Sequence, residues 1–310
     1  MSASTTTAWE LPLSPDTTVG FVGLGRMGGA MASRLLGAGL TVYGTSRSRD
    51  QANDLIESGL SWCGTSREVA EQSGVIFSSI PDDQALVAIA DGPDGVLAGL
   101  ADGGLWVEMS TVSPDTSQRL ASRVRERGAE MLDAPVSGSV PQARSGKLTI
   151  MVGGPDDAYA QVLPILRRLG SPSHIGANGH GLVLKLAINI SLAVQMLAFA
   201  EGLVLAARSG LDPELAGGVM AQSAIGSPML QIREPLIFDP PAEAMFDMGF
   251  MRKDVRLALE AARAVNAPSP TAERAVDVLE AARTMGMEHR DIAELYEVLE
   301  LQAAQPARAS

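Results

Sequence analysis

The chain is short of the residues on which several classes of protein depend. Its single cysteine, Cys63, cannot form an internal disulfide, which suits a reducing compartment and predicts a cytoplasmic protein. The 24 basic residues are outnumbered by 36 acidic ones, so the net charge of −12 argues against a nucleic-acid partner, because phosphate neutralisation needs a basic surface. The three histidines show no metal-ligand spacing, and we predict no metal site.

Long uncharged apolar runs are also scarce. The longest, residues 186–200, has 15 residues, fewer than the ~18–20 that span a bilayer. Because Lys185 and Glu201 flank it, we expect a helix buried in protein and no membrane partner. Residues 1–7 are rich in Ser and Thr and lack the basic and apolar regions of a signal peptide. We expect flexible tails at 1–16 and 305–310.

The first half of the chain alternates short apolar runs with helical patterns, which predicts βαβ units around a parallel sheet. We expect strands at 19–22, 40–43, 60–63, 75–80, 105–109, 130–133, 149–152 and 173–175. The helices expected between them lie at 27–36, 67–72, 114–127 and 156–169, with a further helix that ends at about residue 57. After a glycine-rich segment at 176–181 only helical patterns follow, at 182–209, 213–222, 253–265, 269–285 and 292–303. The pattern predicts a domain boundary near residue 176.

A glycine-rich loop follows the first predicted strand and opens the first predicted helix. It reads Gly23-Leu24-Gly25-Arg26-Met27-Gly28, which in this context indicates dinucleotide binding. The first glycine permits a tight turn, the second lets backbone approach a pyrophosphate, and the third lets helix and strand pack closely. A tight turn in an unrelated α/β protein is the alternative for the motif alone.

The end of the second predicted strand indicates which dinucleotide binds. An NAD site usually carries Asp or Glu there, for the ribose 2′-hydroxyl, but this chain reads Tyr43-Gly44-Thr45-Ser46-Arg47-Ser48-Arg49. Hydroxyls and arginines suit a 2′-phosphate through charge-assisted hydrogen bonds. NADP is therefore the predicted cofactor, with NAD as the second choice. A solvated basic turn is the alternative without a ligand.

Lys185 and Asn189 lie four residues apart in a predicted helix that is otherwise almost free of charge. This spacing places an ammonium and a carboxamide on one helix face. A buried ammonium is costly unless it is paired, which favours a functional role. From the helix alone, a lysine that reaches from a helix end into water is an equal alternative.

Further segments complete an ordered set with the glycine loop. They are Ser110-Thr111-Val112-Ser113-Pro114, Asp133-Ala134-Pro135-Val136-Ser137-Gly138-Ser139, Gly176 to Gly181 with Lys185 and Asn189, and Lys253-Asp254. Together they resemble the β-hydroxyacid dehydrogenases, which include 3-hydroxyisobutyrate dehydrogenase and the glyoxylate/succinic semialdehyde reductases. The resemblance runs from about residue 18 to 301. It implies an α/β Rossmann-type N-terminal domain at 17–176, joined by a long interdomain helix to an all-α C-terminal domain at 177–304, with the substrate between the domains.

The resemblance also implies roles for individual residues. Lys185 would be the general acid/base at the substrate oxygen, and Asn189 would orient that oxygen. The substrate carboxylate would be held by Ser137, Gly138 and Ser139, with Thr111 near the nicotinamide and the substrate. The residues expected to contact the cofactor are Gly23, Leu24, Gly25, Arg26, Met27, Gly28, Thr45, Ser46, Arg47, Ile80, Pro81, Thr111 and Lys253. We expect Asp133 to be structural and Asp254 to pair locally.

The implied activity is NADPH-dependent interconversion of a small carboxylate-bearing semialdehyde or 2-oxo acid and its hydroxy acid. Hydride transfer belongs to the nicotinamide, so the protein must place the carbon and handle the oxygen. Two features depart from the family pattern. Ser139 replaces the last glycine of the usual Ser-Gly-Gly turn, which puts the size or polarity of the substrate in doubt. The turn Gly44-Thr45-Ser46-Arg47 differs from the usual Asn-Arg-Thr, which leaves NADP less firmly indicated.

Three other functions stay open at this point. Imine reductases share the architecture, but they generally carry Asp or Tyr in place of the lysine, so Lys185 argues against them. Decarboxylating 6-phosphogluconate dehydrogenase has a much longer helical domain. A non-catalytic dinucleotide-binding relative would have lost the lysine. Because the helix at 182–207 is apolar around most of its circumference, we also expect a homodimer or homotetramer.

Overall fold

The computed structural model describes residues 18–304, so the tails predicted at 1–16 and 305–310 lie outside the described residues. The chain divides into two compact units, of which the first ends at Lys185 and the second begins at Leu186. This division falls inside one long helix. The strand-containing part of the chain ends at Gly176, close to the start of that helix.

The first unit is built on one nine-stranded sheet. Its strands are β1 (Thr18–Val22), β2 (Thr41–Thr45), β3 (Ser61–Trp62), β4 (Val75–Ser78), β5 (Leu105–Glu108), β6 (Glu130–Asp133), β7 (Val136–Ser137), β8 (Leu148–Gly153) and β9 (Gly170–Gly176). The spatial order is β3-β2-β1-β4-β5-β6-β8-β7, with β9 paired to β8. The first six strands are parallel in the order 3-2-1-4-5-6 of the Rossmann fold, which confirms the predicted fold class.

Eight helices connect these strands. They are α1 (Arg26–Gly37), α2 (Asn53–Glu57), α3 (Ser66–Glu71), α4 (Asp83–Ala90), α5 (Val96–Gly99), α6 (Pro114–Arg125), α7 (Val140–Ser145) and α8 (Asp156–Leu169), with a 3₁₀ turn at Asp50–Ala52. The core side chains Phe21 of β1 and Phe77 of β4 stack with ring centroids 6.1 Å apart. This packing holds together the two strands at which the order of the sheet reverses. In such sheets, ligands bind at the carboxyl ends of those strands.

The predicted parallel sheet has an antiparallel pairing at one edge. Strand β8 runs antiparallel to β6 and β7, and β9 runs parallel to β8. Residues 138–147, which include only the short helix α7, join β7 to β8. A parallel return needs a crossover of about a dozen residues or more, so this shorter connection turns the chain back on itself.

The second unit is helical, and no strand follows Gly176 within residues 177–304. Its elements are the rest of α9 (His180–Arg208), α10 (Pro213–Gln222), α11 (Pro228–Phe238), α12 (Met248–Ala264), α13 (Pro270–Thr284), a 3₁₀ turn at Ile292–Glu294, and α14 (Leu295–Ala304). Its core includes Phe199, Met251 and Leu279. A buried ion pair joins Arg233 of α11 to Asp291, the residue before the 3₁₀ turn. Asp291 also accepts the N–H of Met245, which ties the loop before α12 to the same turn.

Helix α9 is long and apolar enough to cross a membrane by length and composition alone. A core helix of a globular protein passes the same test. Leu182, in its first turn, packs in a core cluster of the first unit, and Met196 and Leu203 pack in the core of the second. Leu182, Met196 and Leu203 therefore have protein partners, whereas Val183 and Leu205 are 50% and 69% exposed.

Candidate active site

The glycine loop forms a tight turn at the carboxyl end of β1. Gly23 has a φ of +90°, and a Cβ there would lie 2.3 Å from the carbonyl oxygen of Ser79. A Cβ on Gly28 would lie 1.9 Å from the carbonyl oxygen of Gly23. Both positions therefore exclude any side chain, as expected for the first and third glycines of a dinucleotide loop.

The second glycine of the loop faces open space. Gly25 is the N-cap of α1, and a Cβ placed on it would have nothing within 4 Å among the described residues. The first turn of α1, which begins at Arg26, contains no acidic residue, and no side chain caps its N–H groups. The N–H groups of a helix N-terminus and the helix dipole suit a phosphate. The loop therefore fits the pyrophosphate of a dinucleotide cofactor.

The turn after β2 lies next to this loop. Thr45, the last residue of β2, accepts the N–H of Gly23 through its carbonyl oxygen at 2.9 Å. Ser46 is half-buried, and Arg47 and Arg49 are exposed. A cofactor on the glycine loop would thus have hydroxyl and guanidinium groups, and no carboxylate, at the end of the neighbouring strand.

The ends of β4 and β5 are linked side by side. The N–H of Ile80 donates to Oγ of Ser110 at 2.7 Å, and the N–H of Ser110 donates to Oε1 of Glu108 at the same distance. Thr111, which follows, is half-buried, as is Ile80, whereas Pro81 is exposed. The structure thus brings the predicted cofactor residues Ile80 and Thr111 to one edge of the sheet with the glycine loop.

The predicted carboxylate turn connects β7 to α7. Gly138 is exposed, with a φ of +131°, while Ser137 and Ser139 are half-buried. Ser139 is the N-cap of α7, and both its N–H and its hydroxyl donate to Oε1 of Gln142, at 3.1 and 2.6 Å. The side chain that departs from the family pattern is therefore held by Gln142, a residue that the sequence analysis did not single out.

Asp133 fixes the start of the helix that carries Lys185. Its buried carboxylate accepts the N–H of Gly179 at 2.6 Å and that of Leu182 at 3.0 Å. Burial raises the pKa of Asp133, and these backbone hydrogen bonds act in the opposite direction. Lys185 lies in the second turn of α9 and is half-buried. The structural role predicted for Asp133 is confirmed, and its effect is to position the helix of Lys185.

In the second unit, Asn189 and Lys253 share one partner. Asn189 is fully buried on α9, and its Nδ2 donates to Oδ2 of Asp254 at 2.6 Å. Nζ of Lys253 lies 2.8 Å from Oδ1 of the same carboxylate, so Asp254 pairs locally, as predicted. Asp254 thereby fixes the orientation of the Asn189 carboxamide.

Two polar residues near the site were not predicted, Glu108 and Gln142. Glu108 is the only charged residue of β5, and a lone carboxylate in an apolar strand was a usable signal. Gln142 had no such signal, because its partner Ser139 becomes visible only once α7 is formed. Within residues 18–304, no group of three His, Cys, Asp or Glu side chains could hold a metal ion.

Two family models together match nearly the whole described chain. Residues 18–179 match the NAD-binding domain of 6-phosphogluconate dehydrogenase. Residues 179–299 match the domain described as the NAD-binding domain of NADP-dependent 3-hydroxyisobutyrate dehydrogenase. The two matches meet at Gly179, whose N–H is bound by Asp133.

Individual proteins are similar over most of their length. The chain is 34% identical to 2-(hydroxymethyl)glutarate dehydrogenase of Eubacterium barkeri, over 91% of this chain and 94% of the relative. It is 36% identical to 3-hydroxyisobutyrate dehydrogenase of Pseudomonas aeruginosa, over 82% and 88%. The structure of 3-hydroxyisobutyrate dehydrogenase of Mycobacterium tuberculosis with L-serine aligns with a TM-score of 0.82 at 27% identity, over 92% of this chain and 99% of that one.

Proposed function

The chain belongs to the β-hydroxyacid dehydrogenase family and is an NAD(P)-dependent oxidoreductase acting on CH–OH groups, and we propose that its substrate is a 3-hydroxypropanoate with a substituent on C2. The observation that carries the proposed acid–base chemistry is the placement of Lys185. It lies on a helix whose N-terminus is fixed by Asp133, in the same unit as the glycine loop.

The proposed substrate class follows from the names of the relatives. 3-Hydroxyisobutyrate, 2-(hydroxymethyl)glutarate and L-serine all carry a CH₂OH group beside the carbon that bears a carboxylate. They differ in the substituent on that carbon, which is methyl, carboxyethyl or ammonium. Oxidation of the CH₂OH group gives a semialdehyde. We infer that this chain uses the shared core, with the carboxylate held at Ser137 and Gly138.

Lys185 and Asn189 have separate roles in the proposed reaction. The bound nicotinamide supplies or accepts the hydride at the substrate carbon. In the reductive direction, the ammonium of Lys185 stabilises the negative charge that grows on the carbonyl oxygen and then gives it a proton. In the oxidative direction, the neutral amine takes the hydroxyl proton. Asn189, one turn further along α9, orients that oxygen.

NADP is the proposed cofactor in preference to NAD. Support comes from the turn after β2, where Ser46 and Arg47 stand in place of a carboxylate. An arginine and hydroxyls can bind a 2′-phosphate, whereas an NAD site uses Asp or Glu for the 2′-hydroxyl. The expected contacts of Lys253 with the cofactor and of Thr111 with the nicotinamide are part of the same proposal.

The cellular setting is also a proposal. We place the protein in the cytoplasm, since a single cysteine suits a reducing compartment. We also propose a homodimer or homotetramer. Support for an oligomer comes from helix α10, where Leu211 just before it, Leu215 and Val219 are each more than half exposed at a spacing of four residues.

An absorbance assay tests the proposed function. The purified enzyme is mixed with NADP⁺ or NAD⁺ and each of the three hydroxy acids, and with NADPH and glyoxylate, succinic semialdehyde or a cyclic imine. We expect turnover of at least one of the three hydroxy acids, with a higher kcat/KM for NADP⁺ than for NAD⁺. The imine is included because an imine reductase of Pseudomonas sp. aligns with a TM-score of 0.60 at 25% identity. Turnover of the imine alone would replace the proposal with imine reduction.

The role of Lys185 is tested by Lys185→Ala. General acid–base help is typically worth ~10²–10⁴ in rate, so kcat should fall by about that factor. Binding of NADPH, followed by its fluorescence, should stay near the wild-type level. Lys147→Ala, an exposed lysine of the same unit, is the matched control and should leave both unchanged. Retained turnover in Lys185→Ala would remove this residue from the chemistry.

A further inference from the structure

A buried carboxylate that the proposed reaction leaves unused lies at the carboxyl edge of the sheet. Glu108 ends β5 and has no exposed surface. In the strand register it lies between Ser78 of β4 and Asp133 of β6. An ionisable group in such a place is costly, because desolvation penalises its charged form.

Hydrogen bonds from two strands converge on Glu108. Its Oε1 accepts the N–H of Ser110 at 2.7 Å, and its Oε2 accepts the hydroxyl of Ser78. The indole N–H of Trp106 donates to that hydroxyl at 2.7 Å, which directs the hydroxyl proton toward Glu108.

The same network reaches the backbone of the cofactor edge. Oγ of Ser110 accepts the N–H of Ile80 at 2.7 Å, so the segments that follow β4 and β5 are joined through Ser110. Ile80 and Thr111, on these two segments, are residues that the family resemblance places against the cofactor. Glu108 is thus joined through Ser110 to the two segments that carry them.

We propose that Glu108 is a positioning residue, whose carboxylate holds the ends of β4 and β5 in the geometry that binds the dinucleotide, so that binding weakens when Glu108 is protonated. The proposal rests on the proposed function in one respect, the position of the cofactor against Ile80 and Thr111. All the hydrogen bonds that reach Glu108 are donated to it, so its carboxylate form fits them. A proton on Oε1 would face the N–H of Ser110 and release it. A proton on Oε2 would reverse the hydrogen bond with the Ser78 hydroxyl, whose own proton would then lose Glu108 as its acceptor.

The ionisation of Glu108 falls in the physiological range. Burial raises the pKa of Glu108 from 4.5 to about 7, and the hydrogen bonds from Ser110 and Ser78 partly oppose that rise. Among the described residues, the one charged group that adds to the shift is Asp133 of β6. The group facing Glu108 from β4 is the neutral Ser78, and those from its own strand and loop are Trp106 and Ser110. Glu108 is therefore mostly protonated below pH 7 and ionised above it.

The test is the pH dependence of NADH binding, measured by NADH fluorescence between pH 6 and 8 without substrate. NADH is the probe because the 2′-phosphate of NADPH would itself titrate near pH 6. If only the ionised form binds, the wild-type Kd should rise about tenfold as the pH falls from 8 to 6. Glu108→Gln should bind at least tenfold more weakly at pH 8 and lose the pH dependence.

Two variants accompany the measurement. Glu108→Asp keeps the carboxylate and should keep a pH-dependent Kd, which a purely structural loss would not predict. Glu130→Gln, at the opposite end of the neighbouring strand β6, should behave as wild type. A wild-type Kd that does not change between pH 6 and 8 would overturn the proposal, and this measurement does not depend on whether Glu108→Gln folds. A folded Glu108→Gln variant with the pH profile of the wild type would overturn it too. A wild type that bound no dinucleotide at any pH would overturn the proposed function as well.

Discussion

At the scale of single residues, the site depends on carboxylates that do not react. Asp254 holds the carboxamide of Asn189 from one side and the ammonium of Lys253 from the other. With Nδ2 committed to Asp254, the other end of the Asn189 carboxamide, Oδ1, points away from Asp254. A buried carboxamide has two orientations that differ only by a flip, and the charge of Asp254 selects one of them. Asp254 thereby sets the orientation of Asn189 on which its proposed role at the substrate oxygen depends.

Glu108 predicts a pH dependence of stability as well as of binding. Its pKa is raised from 4.5 to about 7 by burial, so between these values the folded state binds more protons than the unfolded state. Stability should therefore fall as the pH rises from 4.5 to 7 and level off above 7. The shift corresponds to roughly 3 kcal/mol.

The measurement is the free energy of unfolding in urea at several pH values, without cofactor. Glu108→Gln removes this titration, so the wild type should lose stability relative to the variant between pH 5 and 7. Glu130→Gln serves again as the control. Parallel curves for the wild type and Glu108→Gln over this range would contradict the raised pKa.

At the scale of elements, α9 depends on β6 for its position. Asp133 binds two backbone N–H groups of the Gly179–Leu182 segment, so its side chain ties the end of β6 to the start of the helix that carries Lys185. Asp133→Asn would turn an NH₂ group toward one of these donors. Leaving a buried donor unsatisfied costs about 1–3 kcal/mol, so we expect that loss of stability together with a lower kcat.

Thermal and urea unfolding measure the first effect of Asp133→Asn, and steady-state turnover the second. Asp156→Asn is the matched control, because Asp156 is an exposed acid in the first turn of α8, with its side chain 91% exposed. A folded Asp133→Asn enzyme with wild-type kcat would show that α9 is positioned by other contacts.

The elements also show which parts of the fold the sequence could predict. Strand β6 and helices α8 and α10 have the predicted bounds. Helix α8 buries Val162, Ile165 and Leu166 on one face, which leaves a clear helical period. Helix α11 was missed because Pro235 lies inside it, and proline usually ends a helix. Helices α4, α5 and α7 have eight residues or fewer, too short for a helical period to be recognised.

The same reasoning separates the predictable parts of the site from the rest. The glycine loop and the Lys185/Asn189 pair are local in sequence, so their spacing marks them as candidates, and the order of the other motifs along the chain favours a functional role for them. The partners Asp254 and Glu108 are not local. Asn189 and Asp254 are 65 residues apart, and Ser78 and Glu108 are 30 apart, so only the folded chain brings them together.

At the scale of the whole molecule, the functional residues are distributed over both units. The cofactor loop, the carboxylate turn and Lys185 belong to the first unit, while Asn189, Lys253 and Asp254 belong to the second. Helix α9 is the one element that continues from the first unit into the second. A truncated chain that ends at residue 185 would therefore keep the dinucleotide loop but lose Asn189 and its partners.

The exposed apolar surface of the second unit predicts self-association. Leu215 and Val219 are 69% and 62% exposed and lie four residues apart on α10, so they form an apolar stripe on one face of the helix, and Leu211, 59% exposed, lies just before the helix. An exposed apolar stripe of this kind is more stable when covered. Leu215→Glu should therefore shift the protein toward monomer in size-exclusion chromatography with light scattering, by placing a charge in the interface.

The matched control is Val265→Glu, because Val265 is 73% exposed but lies beyond the end of α12 and outside the stripe. A wild type that is monomeric at micromolar concentration, or a Leu215→Glu variant with the wild-type mass, would contradict an oligomer formed through this stripe.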